Sequence, residues 1–233
     1  MSKPRHLFLA AHPDDEVLGC AGTIAARAAA GHEVFIAILG GGVTSRADAP
    51  EEGVESALAA LKAQSRGVAE LLGATEHFMF DLPDNRVDTV PLLEVTQLIE
   101  GLVDELKPEV VYTQHGGDLN VDHQRIFQAT LTATRPMSGS AVRQVLAYEV
   151  PSSTEWAFQR FEPVFRPSVF EDIEDTLETK IEAMSLYEAE ARSFPHPRSP
   201  EALRAIARRW GSVVGLQAAE AFELVRWVRP RGR

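Results

Sequence analysis

A histidine and three carboxylates crowd into Ala11-His12-Pro13-Asp14-Asp15-Glu16, directly after the apolar run Leu7-Phe8-Leu9-Ala10-Ala11. A strand that ends in such residues and opens into a helix is where α/β proteins concentrate chemistry, because the strand tip faces a crevice. His12 and Asp15 stand three positions apart, so one helical turn brings both to the same side. Imidazole with carboxylate is a donor pair suited to zinc. Asp14, beside the pair but outside it, is left to move protons. A catalytic zinc ion takes three protein ligands and keeps one position for water. The third ligand should come from another strand end on the same sheet edge. His123 meets that condition, since it follows the loop after a second apolar strand and opens a helix. His12, Asp15 and His123 around one zinc ion per chain would acidify a bound water to a pKa of about 7. Singly, each residue has a plainer reading: a histidine can be a hydrogen-bonded core group, and acids in a first helical turn complement the helix dipole. Together, the two clusters say more than either does alone.

The elements that must carry these residues are legible along the chain. Leu7–Ala11 is the first strand, and Val17–Ala30 an Ala-rich helix closed by Gly31. Glu33–Leu39 is an apolar second strand of the kind covered by helices on both faces. A Gly40-Gly41-Gly42 loop precedes an amphipathic helix over Glu55–Leu72, ended by Gly73. His77–Phe80 and Glu109–Thr113 are further strands, with helices over Pro91–Leu106 and from the second motif to Thr134. Beyond Gln144 the pattern loosens. Val145–Tyr148 and Val164–Phe170 are expected as strands, Asp172–Arg192 and Glu201–Trp210 as helices, and Ala221–Val228 as either. Alternating strands and helices with short connections imply a mainly parallel sheet with right-handed crossovers.

The chain has 233 residues, 45% of them hydrophobic and 24% charged, which suits one α/β domain over 1–233 and excludes global disorder. Its single cysteine, Cys20, rules out a disulfide framework and a thiolate metal site, and its place on a small-residue helix face marks it as a buried thiol. A net charge of −11 disfavours nucleic acid as a partner. No apolar stretch reaches the length of a membrane span, and the short apolar run near the start is no signal peptide, so a soluble cytoplasmic protein is expected.

AHPDDE at 11–16 and DLNVDH at 118–123 resemble the two signature motifs of the PIG-L/LmbE-type deacetylases. The order of elements, the stretch Asp81 to Arg86 and the tail Phe194 to Arg198 resemble that family too. The resemblance implies a Rossmann-like three-layer fold and zinc-dependent removal of acetyl from an N-acetylated amino sugar or conjugate. It also implies a homo-oligomer. His12, Asp15 and His123 would hold zinc, and Asp14 would be the general base. The chain departs from the family at Asn120, where many members carry a histidine. An amide can steady an oxyanion but cannot give up a proton. Proton delivery to the leaving amine then falls to Asp14 or to another histidine, and His115, at the end of the fourth strand, is the candidate replacement.

Four residues are expected on the substrate side: Arg46 after the glycine loop, Asp84 and Arg86 after the third strand, and His196 between two prolines. Each has a structural alternative, as a mobile surface arginine, a turn, or a proline-bracketed helix entrance. Ser152, Ser153 and Trp156 would line a sugar subsite, or Trp156 would pack in the core. Asp122 either orients a ligand histidine or serves as a helix N-terminal acid. Two other activities stay open: a family member that binds metal without deacetylating, and a metal-dependent ester or phosphoester hydrolase. A dinucleotide site is disfavoured, because no G-x-G-x-x-G follows the first strand.

Overall fold

The structure is a computed structural model that describes residues 3–41 and 51–229, with only the backbone path along 51–55. Five parallel strands form first: β1 (Arg5–Ala10), β2 (Glu33–Gly40), β3 (Glu76–Leu82), β4 (Val110–Gln114) and β5 (Gln144–Tyr148). β6 (Val169–Asp172) and β7 (Ala219–Trp227) complete a seven-stranded sheet in the order β3-β2-β1-β4-β5-β7-β6, with β7 antiparallel to both of its neighbours.

Helices α1 (Asp15–Ala29), α2 (Glu51–Leu71), α3 (Leu92–Leu106), α4 (Val121–Ala133), α5 (Leu177–Leu186) and α6 (Pro200–Val214) connect the strands and flank the sheet. Side chains alternate along each strand, so the sheet feeds two cores. Phe8, Ile36, Ile38 and Leu146 pack on one side with Val17 and Ile24 of α1 and Met184 of α5. Leu7, Leu9, Phe35 and Val111 pack on the other with Ile99 of α3 and Ile126 of α4. This makes three layers, and it explains why β1 and β2 read as unbroken apolar runs.

α1 approaches the sheet closely. A Cβ on Gly19 would lie 2.2 Å from Tyr148 Cδ2, so only glycine fits there. A buried ion pair locks the same helix in place: Lys180 Nζ of α5 meets Glu220 Oε1 of β7 at 2.5 Å, and Glu220 also accepts from Gly22 N and Thr23 N. Removing one partner of such a pair typically costs about 3–5 kcal/mol. Cys20 lies buried on this helix as a free thiol, as expected. Gly31 follows α1 at φ 82°, and Gly73 follows α2 at φ 74°, conformations that suit glycine after a helix end.

The region after β5 differs from the sequence expectation. The strand expected over Val164–Phe170 is only Val169–Asp172, because Pro163 and Pro167 cannot donate to a ladder. The helix expected over Asp172–Arg192 is confined to Leu177–Leu186. Its first residue instead pairs with Ala219 across the sheet, and the chain beyond it turns back towards the N-terminal motif. The last segment is a strand, β7. No helix among the described residues is long and apolar enough to cross a membrane.

Candidate metal centre and active site

β1 and β4 are neighbours, with β2 beyond one and β5 beyond the other. At such a switch point the loops after the two strands diverge and leave a crevice at the strands' C-terminal ends. His12 follows β1, and His123 lies in the first turn of α4 after β4, so both face it. Their ring centroids are 5.4 Å apart.

Asp15 Oδ2 sits 3.2 Å from His123 Nε2 and 3.6 Å from His12 Nδ1. One ligand atom from each of the three residues falls within 4.8 Å of the others. The opposite ring nitrogens are held by acids, His12 Nε2 by Asp122 Oδ2 at 2.9 Å and His123 Nδ1 beside Asp118 Oδ1 at 3.1 Å. Carboxylates behind imidazoles are the usual means of orienting metal ligands. Both ring nitrogens of His123 are buried without a well-formed hydrogen bond among the described residues, Nδ1 facing Asp118 and Nε2 facing Asp15. An orphaned imidazole nitrogen aimed at a carboxylate and a second imidazole is what a divalent cation would satisfy. The donor set, two imidazoles and one carboxylate, fits the three-ligand pattern of catalytic zinc.

The electrostatics agree. Burial opposes charge on all three residues, yet their mutual fields prevail. Burial is outweighed at Asp15 by His123 and His12, which hold its carboxyl well below the usual range. At His123, Asp15 and Asp118 overcome burial and raise the imidazole to about 9. Asp122 and Asp15 raise His12 in the same way. The pocket therefore stabilises positive charge, and a cation would take the place of those protons.

Asp14 lies at φ 111°, a region that non-glycine residues rarely adopt, and it lines the same cavity of about 620 Å³. Strained backbone of this kind persists only where the surroundings impose it. Here Asp14 N donates to Glu16 Oε2 at 3.1 Å, and Glu16 Oε1 accepts from Tyr187 Oη at 2.6 Å. Burial pushes the Asp14 carboxyl up, opposed by Arg198 and reinforced by Asp15, Glu190 and Glu16. Burial likewise raises Glu16 to about 7.

Asp84 and Asn120 join His12, Asp14, Asp15 and His123 along the cavity wall. Asp84 Oδ1 is 3.3 Å from His12 Nε2. Asn120 caps α4 by accepting from Asp122 N at 2.8 Å, and its amide donates to Asn85 Oδ1 at 3.0 Å. Asp122 holds the ring of His12, not that of the adjacent His123. Ser152, Ser153 and Trp156 also line the cavity.

Other expected residues fall elsewhere. His115 points away: its Nε2 meets Pro163 O at 2.7 Å, its Nδ1 lies 3.1 Å from Glu223, and it lines a separate cavity of about 310 Å³. Alternation along the strand is the reason, since Gln114 uses the inward position and donates to Asp15 Oδ2 at 3.3 Å. Arg86 is exposed and does not line this cavity. His196 packs edge-on against Trp156 and does not itself line the cavity. Arg46 lies outside the described residues.

Three groups escaped the sequence reading. Asp118, fully buried, accepts from Asn120 N, Ser153 Oγ and Thr154 Oγ1 besides facing His123. Its only sequence signal was its place at the head of DLNVDH. Arg198 and Glu190 enter the cavity from the loop between α5 and α6; Arg198 closes the tail that resembles the family, but no role was read for it, and nothing local marks Glu190.

The model of the PIG-L family, described as GlcNAc-PI de-N-acetylase, matches residues 7–134. The chain is 28% identical over 177 residues to the uncharacterized deacetylase YaiS of Escherichia coli K12, covering 72% of this chain and 82% of that protein. It is 25% identical over 224 residues to the diacetylchitobiose deacetylase of Thermococcus kodakarensis, covering 94% and 82%. Among solved structures, the 4-carboxy-2-hydroxymuconate hydratase GalB of Pseudomonas putida KT2440 superposes with a TM-score of 0.76 at 20% identity, covering 99% of each chain. That likeness concerns the fold alone, and a fold shared with a hydratase does not by itself fix the reaction. The family match spans more than half of the sequence and contains both motifs, and on that ground this chain belongs to the PIG-L family.

Proposed function

We propose that the protein is a zinc-dependent deacetylase that hydrolyses the N-acetyl amide of an amino sugar or amino-sugar conjugate. The observation that carries this reading is the convergence of His12, Asp15 and His123 on one point, with the Asp14 carboxylate in the same cavity. The deacetylase relatives support the acetyl amide as the bond attacked, and the diacetylchitobiose enzyme supports a sugar as its carrier.

Bound by His12, Asp15 and His123, the cation would supply acidity to a water and polarise the acetyl carbonyl. Asp14 accepts the proton of that water as its oxygen bonds to the acetyl carbon. The Asn120 amide lines the cavity and keeps a second N–H beyond the one given to Asn85, which would serve the carbonyl oxygen as charge grows there. Among the described residues, the only imidazoles lining the cavity are those of the cation set. Asp14 therefore returns its proton to the amide nitrogen, the C–N bond breaks, and acetate and a free amine leave. Trp156 offers a face for the sugar ring.

The test is acetate release from N-acetylglucosamine and diacetylchitobiose by protein as purified, after chelation, and after zinc is restored. Activity lost on chelation and regained with zinc is expected. Turnover indifferent to the chelator, or no acetate from any acetamido sugar, would refute the proposal.

A further inference from the structure

We propose that Arg198 is a positioning residue for Asp14, fixing its carboxylate in the cavity so that it meets the water and the amide in register. The proposal rests on the hydrolytic reading above. Arg198 Nη1 donates to Asp14 Oδ2 at 2.6 Å and to Glu190 Oε2 at 2.8 Å, while its Nε donates to Ser152 Oγ at 2.8 Å. A guanidinium is a rigid plane, so anchoring it at Ser152 and Glu190 also sets the direction of its bond to Asp14. The anchors lie on different segments, Ser152 after β5 and Glu190 after α5.

The need for such a brace is visible at Asp14 itself. Its backbone occupies φ 111°, and Glu16 holds only its amide. The carboxylates of Asp15, Glu16 and Glu190 all repel its side chain. Arg198 is the one lysine or arginine among the described residues that lines this cavity. Its hydrogen bonds go to Asp14, Glu190 and Ser152, none of them in the cation set. Arg198 should thus govern turnover without governing metal affinity, a separation that a general structural role would not produce.

The experiment compares wild type, Arg198→Ala, Arg198→Lys, Asp14→Asn and the Asp14→Asn/Arg198→Ala double variant. Loss of alignment is expected to lower kcat of Arg198→Ala about 100-fold with little change in KM. Arg198→Lys should fall between it and wild type, because an ammonium cannot bridge all three partners. Added methylguanidinium should restore part of the rate to Arg198→Ala and none to Asp14→Asn. Zinc affinity, read by competition with a chromophoric chelator, should match wild type in both Arg198 variants.

A readout free of activity is the melting temperature of the zinc-free proteins, where the Asp14 and Arg198 substitutions should be non-additive. Unchanged kcat, a rise in KM alone, failed rescue, or additive melting shifts would each overturn the proposal. Should Arg198→Ala not fold, Arg198→Lys and the Asp14→Asn/Arg198→Lys pair decide by the same criteria. Wild type that releases no acetate sinks the hydrolytic reading, whereas additive melting shifts sink the Arg198–Asp14 link alone.

Discussion

Asp118→Asn removes one charge and almost no volume from behind His123. Asp118 is fully buried, and its Oδ1 receives Asn120 N at 2.8 Å and faces His123 Nδ1 at 3.1 Å. Its Oδ2 receives Thr154 Oγ1 at 2.6 Å. An asparagine fits in volume with its carbonyl in the Oδ1 place; its NH₂ then faces Thr154 Oγ1, which accepts from Val150 N, has a second lone pair for the amide and must turn its own proton away. The fold should therefore survive, while His123 loses an anionic acceptor for its outer N–H. Partners of this kind are worth about 10–100-fold in metal affinity, or about 1.4–2.7 kcal/mol. Asp118→Ala goes further, taking the acceptor from Asn120 N and from the buried Ser153 and Thr154 hydroxyls, at about 1–3 kcal/mol for each buried donor left unpaired. The assay is a zinc titration against a chromophoric chelator, paired with urea unfolding. Asn should weaken zinc binding with a small change in midpoint, and Ala should do both. If Asp118→Asn binds zinc as tightly as wild type, the claim that Asp118 orients and charges the ligand is wrong.

Asp14→Asn should keep zinc and lose about two to four orders of magnitude in kcat, the range for removal of a general base; wild-type turnover would contradict its role. Gly19→Ala places a methyl 2.2 Å from the Tyr148 ring, which is itself pinned by its hydroxyl bond to Leu9 O, so overpacking of about 1–3 kcal/mol should lower the urea midpoint. An unchanged midpoint would show that α1 can shift freely. His6 is lowered to about 3, by burial first and then by the charge of Arg27 and its neighbour His32. The unfolded chain binds that proton from pH 6.5 downwards while the folded chain refuses it, so stability is unaffected above this window and falls as pH drops through it. The penalty is about 2 kcal/mol at pH 5. Urea unfolding at pH 7 and pH 5 should show a shallower decline in His6→Gln, and equal slopes would refute the assignment.

The N-terminal half was readable because its signals are local. His12 and Asp15 are held together by the tight turn that leads into α1, not by the helical turn expected, and Asp15 Oδ2 closes it on Ala11 N and His12 N. Apolar runs with glycine at the helix ends located β1, β2 and α1 with little error. His115 was misjudged because reading a strand's end requires knowing which of two successive side chains faces the crevice. Register against β5 decided for Gln114. The helix expected from Asp172 was shortened because a pairing with Ala219 outcompeted local periodicity.

By itself, then, the sequence determined a mainly parallel α/β scaffold and singled out His12, Asp14, Asp15 and His123 as candidates for a cation site and its neighbouring base, since residue type and position after a strand mark each of them. Only the tertiary structure decided which acids stand behind which imidazoles and that Arg198 reaches Asp14 across 184 positions. It also removed His115 and His196 from the cavity. Such contacts between distant segments are set by how the layers pack, and neighbouring residues leave no trace of them in the chain.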